Sequence, residues 1–282
     1  MKYIVIIFIL GIIISCNNDP LLDIDNAQKT IVVDAWIEEG SGPNVLLTWN
    51  SPYFTKLDSE SIAKLVIRSA KVTVSDSVTT EILTLRNNKN SFPPYVYQGF
   101  DIVGQSGRKY TLKVEYKDFV LEATTSIPRS VAIDSAWFEL NEKDDSTGTV
   151  FLNFIDDPNE KNYYRTYSRI FKKQKKYFPT LYSNFDDKYF DKTQISLELN
   201  QGPEAYIEYD IDINYSLGDS IIMKLTTIDA NTYNYWNIYQ QEVINIGNPF
   251  ASSFSTIPSN ISKPGLGIWA GYGVSYYSIK AK

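Results

Sequence analysis

The sequence contains no histidine and a single cysteine, Cys16, in 282 residues. Without histidine, neither a Ser–His–Asp nor a Cys–His nucleophile can be assembled, and histidine-based zinc or iron sites are excluded. The side chain whose unperturbed pKa best suits proton shuttling near neutrality is missing as well. A lone thiol has no disulfide partner and no companion for a thiolate metal site. Positive charge is scarce too: 27 Lys and Arg against 33 Asp and Glu leave a net charge of −6. With no basic stripe to neutralise phosphates, nucleic acid is not an expected partner. The one basic cluster, Lys172-Lys173-Gln174-Lys175-Lys176, reads as a solvated strand end or hairpin tip. Catalysis by paired carboxylates remains chemically open, but no sequence spacing places two of them across a cleft. The expectation is a protein that is not an enzyme and uses no cofactor.

What is present begins with Met1-Lys2-Tyr3, an apolar run from Ile4 to Ile14, and Ser15-Cys16. A basic start, a short apolar stretch and a small residue before the cut are the parts of a secretory signal. The run is well short of the ~20 residues that span a bilayer as a helix. Ile13-Ile14-Ser15-Cys16 resembles the bacterial lipobox, in which the cysteine becomes the first mature residue and carries the lipid through a thioether. We therefore expect a signal peptide over residues 1–15 and lipid attachment, palmitate included, at Cys16. Each buried methylene contributes about 0.8 kcal/mol and stable anchoring takes two acyl signals, so a two- or three-chain lipoprotein stays attached. The expected tether, residues 16–28, carries Asp19, Asp23 and Asp25. Acidic residues behind a lipidated cysteine resemble the signal that sends Bacteroidota lipoproteins to the outer face of the outer membrane. Cleavage removes Lys2 and leaves the mature chain one unit more negative.

The rest reads as all-β with one substantial helix. Short runs rich in Val, Ile, Thr, Tyr and Phe alternate with Gly, Pro, Asn and Asp punctuation. Seven strands are expected near Thr30–Glu38, Asn44–Trp49, Ala70–Ser75, Glu81–Leu85, Tyr95–Gln98, Lys109–Tyr116 and Val120–Ser126. In one of them Tyr110, Leu112 and Val114 alternate with Thr111, Lys113 and Glu115, giving one apolar and one wet face. About seven short strands in about a hundred residues suggest an immunoglobulin-like sandwich over residues 29–128. Gly107-Arg108-Lys109-Tyr110 resembles the tyrosine corner of such folds. A second β-rich unit is expected over residues 129–282, with strands near Ser135–Leu140, Thr149–Ile155, Tyr163–Phe171, Gln194–Leu199, Ala205–Ile213 and Ser220–Ile228. Its helix, near residues 230–246, follows the N-cap Asp229 and should pack through Trp236.

Two further segments carry residue types that could support chemistry. Asn184-Phe185-Asp186-Asp187-Lys188-Tyr189-Phe190-Asp191 offers oxygen ligands, but it is not an EF-hand, because Tyr189 and Ile195 stand where glycine and glutamate are needed. It reads as a turn over tucked aromatics, and no metal site is expected. The glycines between Pro264 and Val274 lack the Gly-Lys-Ser/Thr or G-x-G-x-x-G pattern of a phosphate loop. They read as room for bulky rings against a neighbouring strand. Tyrosine is a low-entropy contact residue, and Tyr177, Phe178, Tyr182 and Phe185 lie in an irregular polar stretch. These four are the expected binding surface.

Val32-Val33-Asp34-Ala35-Trp36-Ile37, Asp101-Ile102-Val103-Gly104, Asp134-Ser135-Ala136-Trp137-Phe138, Tyr233-Asn234-Tyr235-Trp236 and Gly265-Leu266-Gly267-Ile268-Trp269-Ala270-Gly271-Tyr272-Gly273 occur in an order that resembles a family. It is a Bacteroidota outer-membrane lipoprotein family known only as a domain of unknown function. Its members are typically encoded beside TonB-dependent receptors. The resemblance implies a surface-exposed accessory or ligand-binding partner of a TonB-dependent nutrient-uptake β-barrel, and carries over no site residues. The alternative is an adhesion or structural module that contacts glycans or other cells. The lipobox generates a direct prediction: Cys16→Ala releases the protein from the membrane fraction, and retention there would overturn the anchor.

Overall fold

The computed structural model describes residues 29–51, 58–87, 93–142, 144–189, 194–202, 213–244 and 257–282. The expected signal peptide, the tether with Cys16, the strand expected over Ala205–Ile213 (all but its last residue) and the last two residues of the expected helix lie outside them. Within the described residues the fold is all-β with two helices.

Period-two burial builds the first half. Ile31, Val33, Ala35 and Ile37 of β1 (Ile31–Glu38) all turn inward and are buried. Beside it run β2 (Asn44–Trp49), β6 (Tyr95–Gln98) and β5 (Thr84–Asn87). The facing sheet has the order β4 (Thr80–Ile82), β3 (Lys71–Ser75), β7 (Lys109–Tyr116) and β8 (Phe119–Ser126). Leu83 leaves the ladder between β4 and β5, so the single strand expected over Glu81–Leu85 is divided between the two sheets. The short helix α1 (Ser59–Leu65) was not foreseen; Asp58 caps it by accepting from Ser61 N at 2.8 Å. The Tyr110 ring is fully buried and its hydroxyl accepts from Gln105 N at 2.7 Å, the backbone contact of a tyrosine corner. Buried Glu81 receives Phe100 N at 2.6 Å and Ile102 N at 2.9 Å, satisfying two loop donors.

The second half is another sandwich. One sheet centres on β10 (Asp144–Ile155), flanked by β9 (Ile133–Asn141), β13 (Gln194–Leu199) and β14 (Tyr215–Ser216). The other contains β12 (Phe178–Asp186), β11 (Tyr163–Ile170) and β15 (Ser220–Ile228), with helix α2 (Ala230–Ile244) leaving directly from β15. Asp229 caps α2 through Thr232 N at 2.7 Å.

The closing strand, β16 (Leu266–Lys280), belongs to both halves. Its first part pairs parallel with β1 from Val32↔Leu266 to Glu38↔Tyr272. Its second part pairs antiparallel with β15 from Thr227↔Gly273 to Ser220↔Lys280. One eight-stranded sheet results, in the order β12-β11-β15-β16-β1-β2-β6-β5. Trp269 completes the first core, with Ile261; Tyr277, Ile279 and Ala281 pack with the second. Chain order led to the assignment of residues 129–282 to the second unit alone. Strand pairing joins the first part of β16 to β1 and keeps its second part with β15.

The glycines of β16 are where the connection between the halves passes. A Cβ on Gly271 would stand 2.3 Å from Ser126 O, and one on Gly273 would stand 2.5 Å from Pro128 O. At Gly267, with φ +106°, it would stand 1.9 Å from Val33 O. Expected as room for rings, these positions are spaces for backbone. Asn260 replaces a missing strand partner, accepting from Trp269 N at 2.9 Å and donating to Trp269 O at 2.7 Å. Gly271→Val is predicted to destabilise the protein by about 1–3 kcal/mol through overpacking, read by urea unfolding; an unchanged midpoint would show that the crossing is looser than described.

Candidate functional site

The side of the eight-stranded sheet turned away from both cores carries an unusual row. On β11 the alternation that buries Tyr164, Thr166 and Ser168 sends Tyr163, Arg165, Tyr167 and Arg169 to this outer face. Register places Thr226 and Lys224 of β15 opposite Arg165 and Tyr167, and Val274 and Tyr276 of β16 opposite those. Tyr272 of β16 faces Glu38 of β1. Helix α2 lies along the far side of this row. Tyr233 packs on Tyr163 with ring centroids 4.9 Å apart, and Gln240 accepts from Asn184 Nδ2 at 2.9 Å.

Two cationic environments result. Lys224, only 6% exposed, forms an ion pair with Glu38 and lies 4.9 Å from the Tyr167 ring centroid. Tyr276 donates to the second Glu38 oxygen at 3.4 Å. Arg169 stacks over Tyr177 at 4.8 Å, and Tyr177 packs on Tyr276 at 5.8 Å. Arg165 is different. It is 5% exposed, and its guanidinium lies 3.8 Å from the Trp236 ring centroid and 5.2 Å from that of Tyr167. Among the described residues its Nε and Nη1 find no hydrogen-bond acceptor, and neither does Nε of Arg169. A desolvated cation–π contact contributes about 2 kcal/mol, whereas removing a charge from water costs several kcal/mol per ion. The ring therefore covers the Arg165 charge without satisfying its donors.

The carboxylate that feels this guanidinium is Asp34, on the outer face of β1. Burial raises the Asp34 pKa above the usual carboxylate range, and the Arg165 charge only partly opposes the rise. Asp34 still keeps a solvent-exposed surface, so screening moderates the effect. Burial also raises the phenol pKa of Tyr167, Tyr272 and Tyr235, all near the same guanidinium. These hydroxyls stay protonated, and Tyr272 accepts the Trp236 Nε1–H at 2.8 Å. The row thus offers an occluded guanidinium, a wall of rings and phenolic donors. Among the described residues no group of three or more Cys, Asp or Glu stands where it could hold a metal ion.

The four aromatics singled out from the sequence do not form one surface. Their segment is not irregular: it is β12, with a register shift opposite Arg165/Tyr167 that switches which residues face in. Phe178 is 8% exposed, and Phe185 packs against the second core, on Tyr164 and Phe154. Tyr182, at φ 54° in the bulge, is 75% exposed and stands apart. Only Tyr177 joins the outer-face row. The acidic cluster beside them divides between β12 and a 3-10 turn over Asp187–Tyr189, where Asp187 accepts from Asn162 N at 2.6 Å. The lysine cluster lies in the turn between β11 and β12, and Lys173 pairs with Asp219 at 2.6 Å.

With this geometry established, the family can be stated. A family model described as Domain of unknown function (DUF4249) matches residues 18–278. The chain belongs to that family. No curated protein matches it. The DUF4249 match takes in both sandwiches, the shared strand and the Arg165 row, so the site lies inside the family's defining unit.

The raised Asp34 pKa sets a pH dependence. The folded carboxyl releases its proton at higher pH than the unfolded one, so ionisation opposes folding as pH rises through this interval. Asp34→Asn is expected to raise the melting temperature at pH 7, with the gain shrinking as pH falls through the carboxylate range. A gain that persists unchanged at pH 3 would contradict the assignment.

Proposed function

We propose that this protein is a non-enzymatic, lipid-anchored accessory lipoprotein of the bacterial outer membrane, facing the cell exterior. In this reading it captures a ligand at the mouth of a TonB-dependent nutrient-uptake receptor. The observation that carries the reading is Arg165, a nearly fully buried cation whose Nε and Nη1 have no acceptor, at the centre of an aromatic face. Buried donors are ordinarily paired, and a site whose donors are left for a ligand is the usual exception. Binding without chemistry is supported by the residues around it: no nucleophile–histidine arrangement can be assembled from a chain that lacks histidine. The apolar leader ending at Cys16 supports the anchor, and the resemblance of the chain to receptor-associated lipoproteins supports the partner.

The second reading, an adhesion module that contacts glycans, has one observation in its favour. Trp137 and Phe151 stack 5.4 Å apart at 14° on the outer face of β9 and β10, and Trp137 is 36% exposed. Flat exposed rings of this kind suit the apolar face of a sugar. Affinity purification of the tagged full chain from detergent-solubilised outer membranes is expected to co-isolate a β-barrel receptor. Repeated recovery of the protein alone, with glycan binding lost in Trp137→Ala, would transfer support to the second reading.

A further inference from the structure

We propose that Arg165 is the docking point for the carboxylate of a small organic monoanion, whose apolar or unsaturated body lies against Trp236, Tyr167, Tyr272 and Tyr235. This rests on the reading that the protein captures a ligand, and names the class. Among the described residues the charges nearest Arg165 on this face are Asp34, Glu38, Lys224 and Arg169, and Lys161 lies over Tyr163 at the row's end. Lys224 and Glu38 neutralise one another as a direct ion pair. Asp34 influences Arg165 through space without bonding to it. Among the described residues Arg165 has no directly bonded counter-ion, which leaves room for one negative charge on a ligand.

The geometry favours carboxylate over phosphate. Nε–H and Nη1–H leave the guanidinium from different edges, so a carboxylate oxygen takes a single charge-assisted bond from one of them. A phosphate dianion calls for a second cation on the same group. Arg169 is four residues along the strand, about 13 Å away at the ordinary rise, and its own guanidinium lies over Tyr177. Lys224 is already held by Glu38.

Trp236 is the gate. Its ring covers Arg165 at 3.8 Å, and its Nε1–H is held by Tyr272 Oη at 2.8 Å. A ligand reaches Nε and Nη1 when the indole turns off the guanidinium, and the displaced ring then forms part of the wall. Tyr272 is released in the same movement and becomes available to the bound oxyanion.

The test uses the isotopically labelled full chain in detergent and follows the Arg Nε–H and Trp indole N–H resonances. Benzoate is the probe, benzamide its uncharged counterpart, and inorganic phosphate the competing anion. Benzoate is expected to shift the Arg165 Nε–H and Trp236 Nε1–H signals together and saturably. Benzamide should bind at least about tenfold more weakly, and Arg165→Lys, which keeps the charge but loses the Nε–H donor, should weaken benzoate by at least about tenfold. No saturable shift at tens of millimolar benzoate overturns the proposal, as does equal binding of benzamide. Tighter binding of phosphate overturns the carboxylate class. Because the wild-type titration needs no variant, a folding defect in Arg165→Lys does not obscure the outcome. If the carboxylate fails while a receptor still co-purifies, the ligand class is wrong and the accessory reading stands. If benzoate binds but no receptor is recovered, the reverse holds.

Discussion

The parallel pairing of β1 with β16 is the constraint on which the rest depends. It joins the first strand described to the last across more than two hundred residues and makes one sheet out of two. Trp269, delivered by that pairing, is fully buried and donates its indole N–H to Tyr110 O at 3.2 Å. The same strand, a few residues later, presents Tyr277 and Ile279 to the other core. Between these anchor points the connecting backbone at residues 126–130 crosses the inner face at Gly271 and Gly273, where a Cβ has no room. Long-range pairing of this kind forms late and slowly, since loop closure precedes any reward from contacts.

A continuous sheet has a second consequence. Each sandwich keeps one face of its share for its core, which leaves a wide outer face running from β12 to β5. Helix α2 covers only part of it, and at that margin Arg165 is caught between the sheet and Trp236. Glu38 of β1 meets Lys224 of β15 across β16 there, and Asp34 of β1 feels Arg165 of β11. The candidate site therefore draws on both ends of the chain, and it exists only because β16 places them side by side.

Much of the fold was legible where short runs of β-forming residues end at Gly, Pro, Asn or Asp punctuation. Asn44–Trp49, Tyr95–Gln98, Lys109–Tyr116, Gln194–Leu199 and Ser220–Ile228 occur with the bounds that their β-forming runs and flanking punctuation indicate. The helix after Asp229 was visible from its cap and its apolar stripe. β12 was not, because its bulge at Tyr182 reverses the alternation midway, so Phe178 and Phe185 both face inward. The site itself was hidden for a different reason. Tyr163-x-Arg165-x-Tyr167-x-Arg169 reads as the wet face of a strand, and only the tertiary placement of α2 turns that face into a buried one. Likewise, nothing local in β16 reveals that half of it pairs with β1; the glycines marked a close approach but not the segment approaching.

The shared strand is tested most directly by hydrogen exchange in increasing urea, followed segment by segment. If β16 unites the two cores, the amides of β1, β15 and β16 lose protection together in a single transition. Loss of protection in β11 and β15 at a lower urea concentration than in β1 and β2 would contradict the account, because the two sandwiches would then unfold independently.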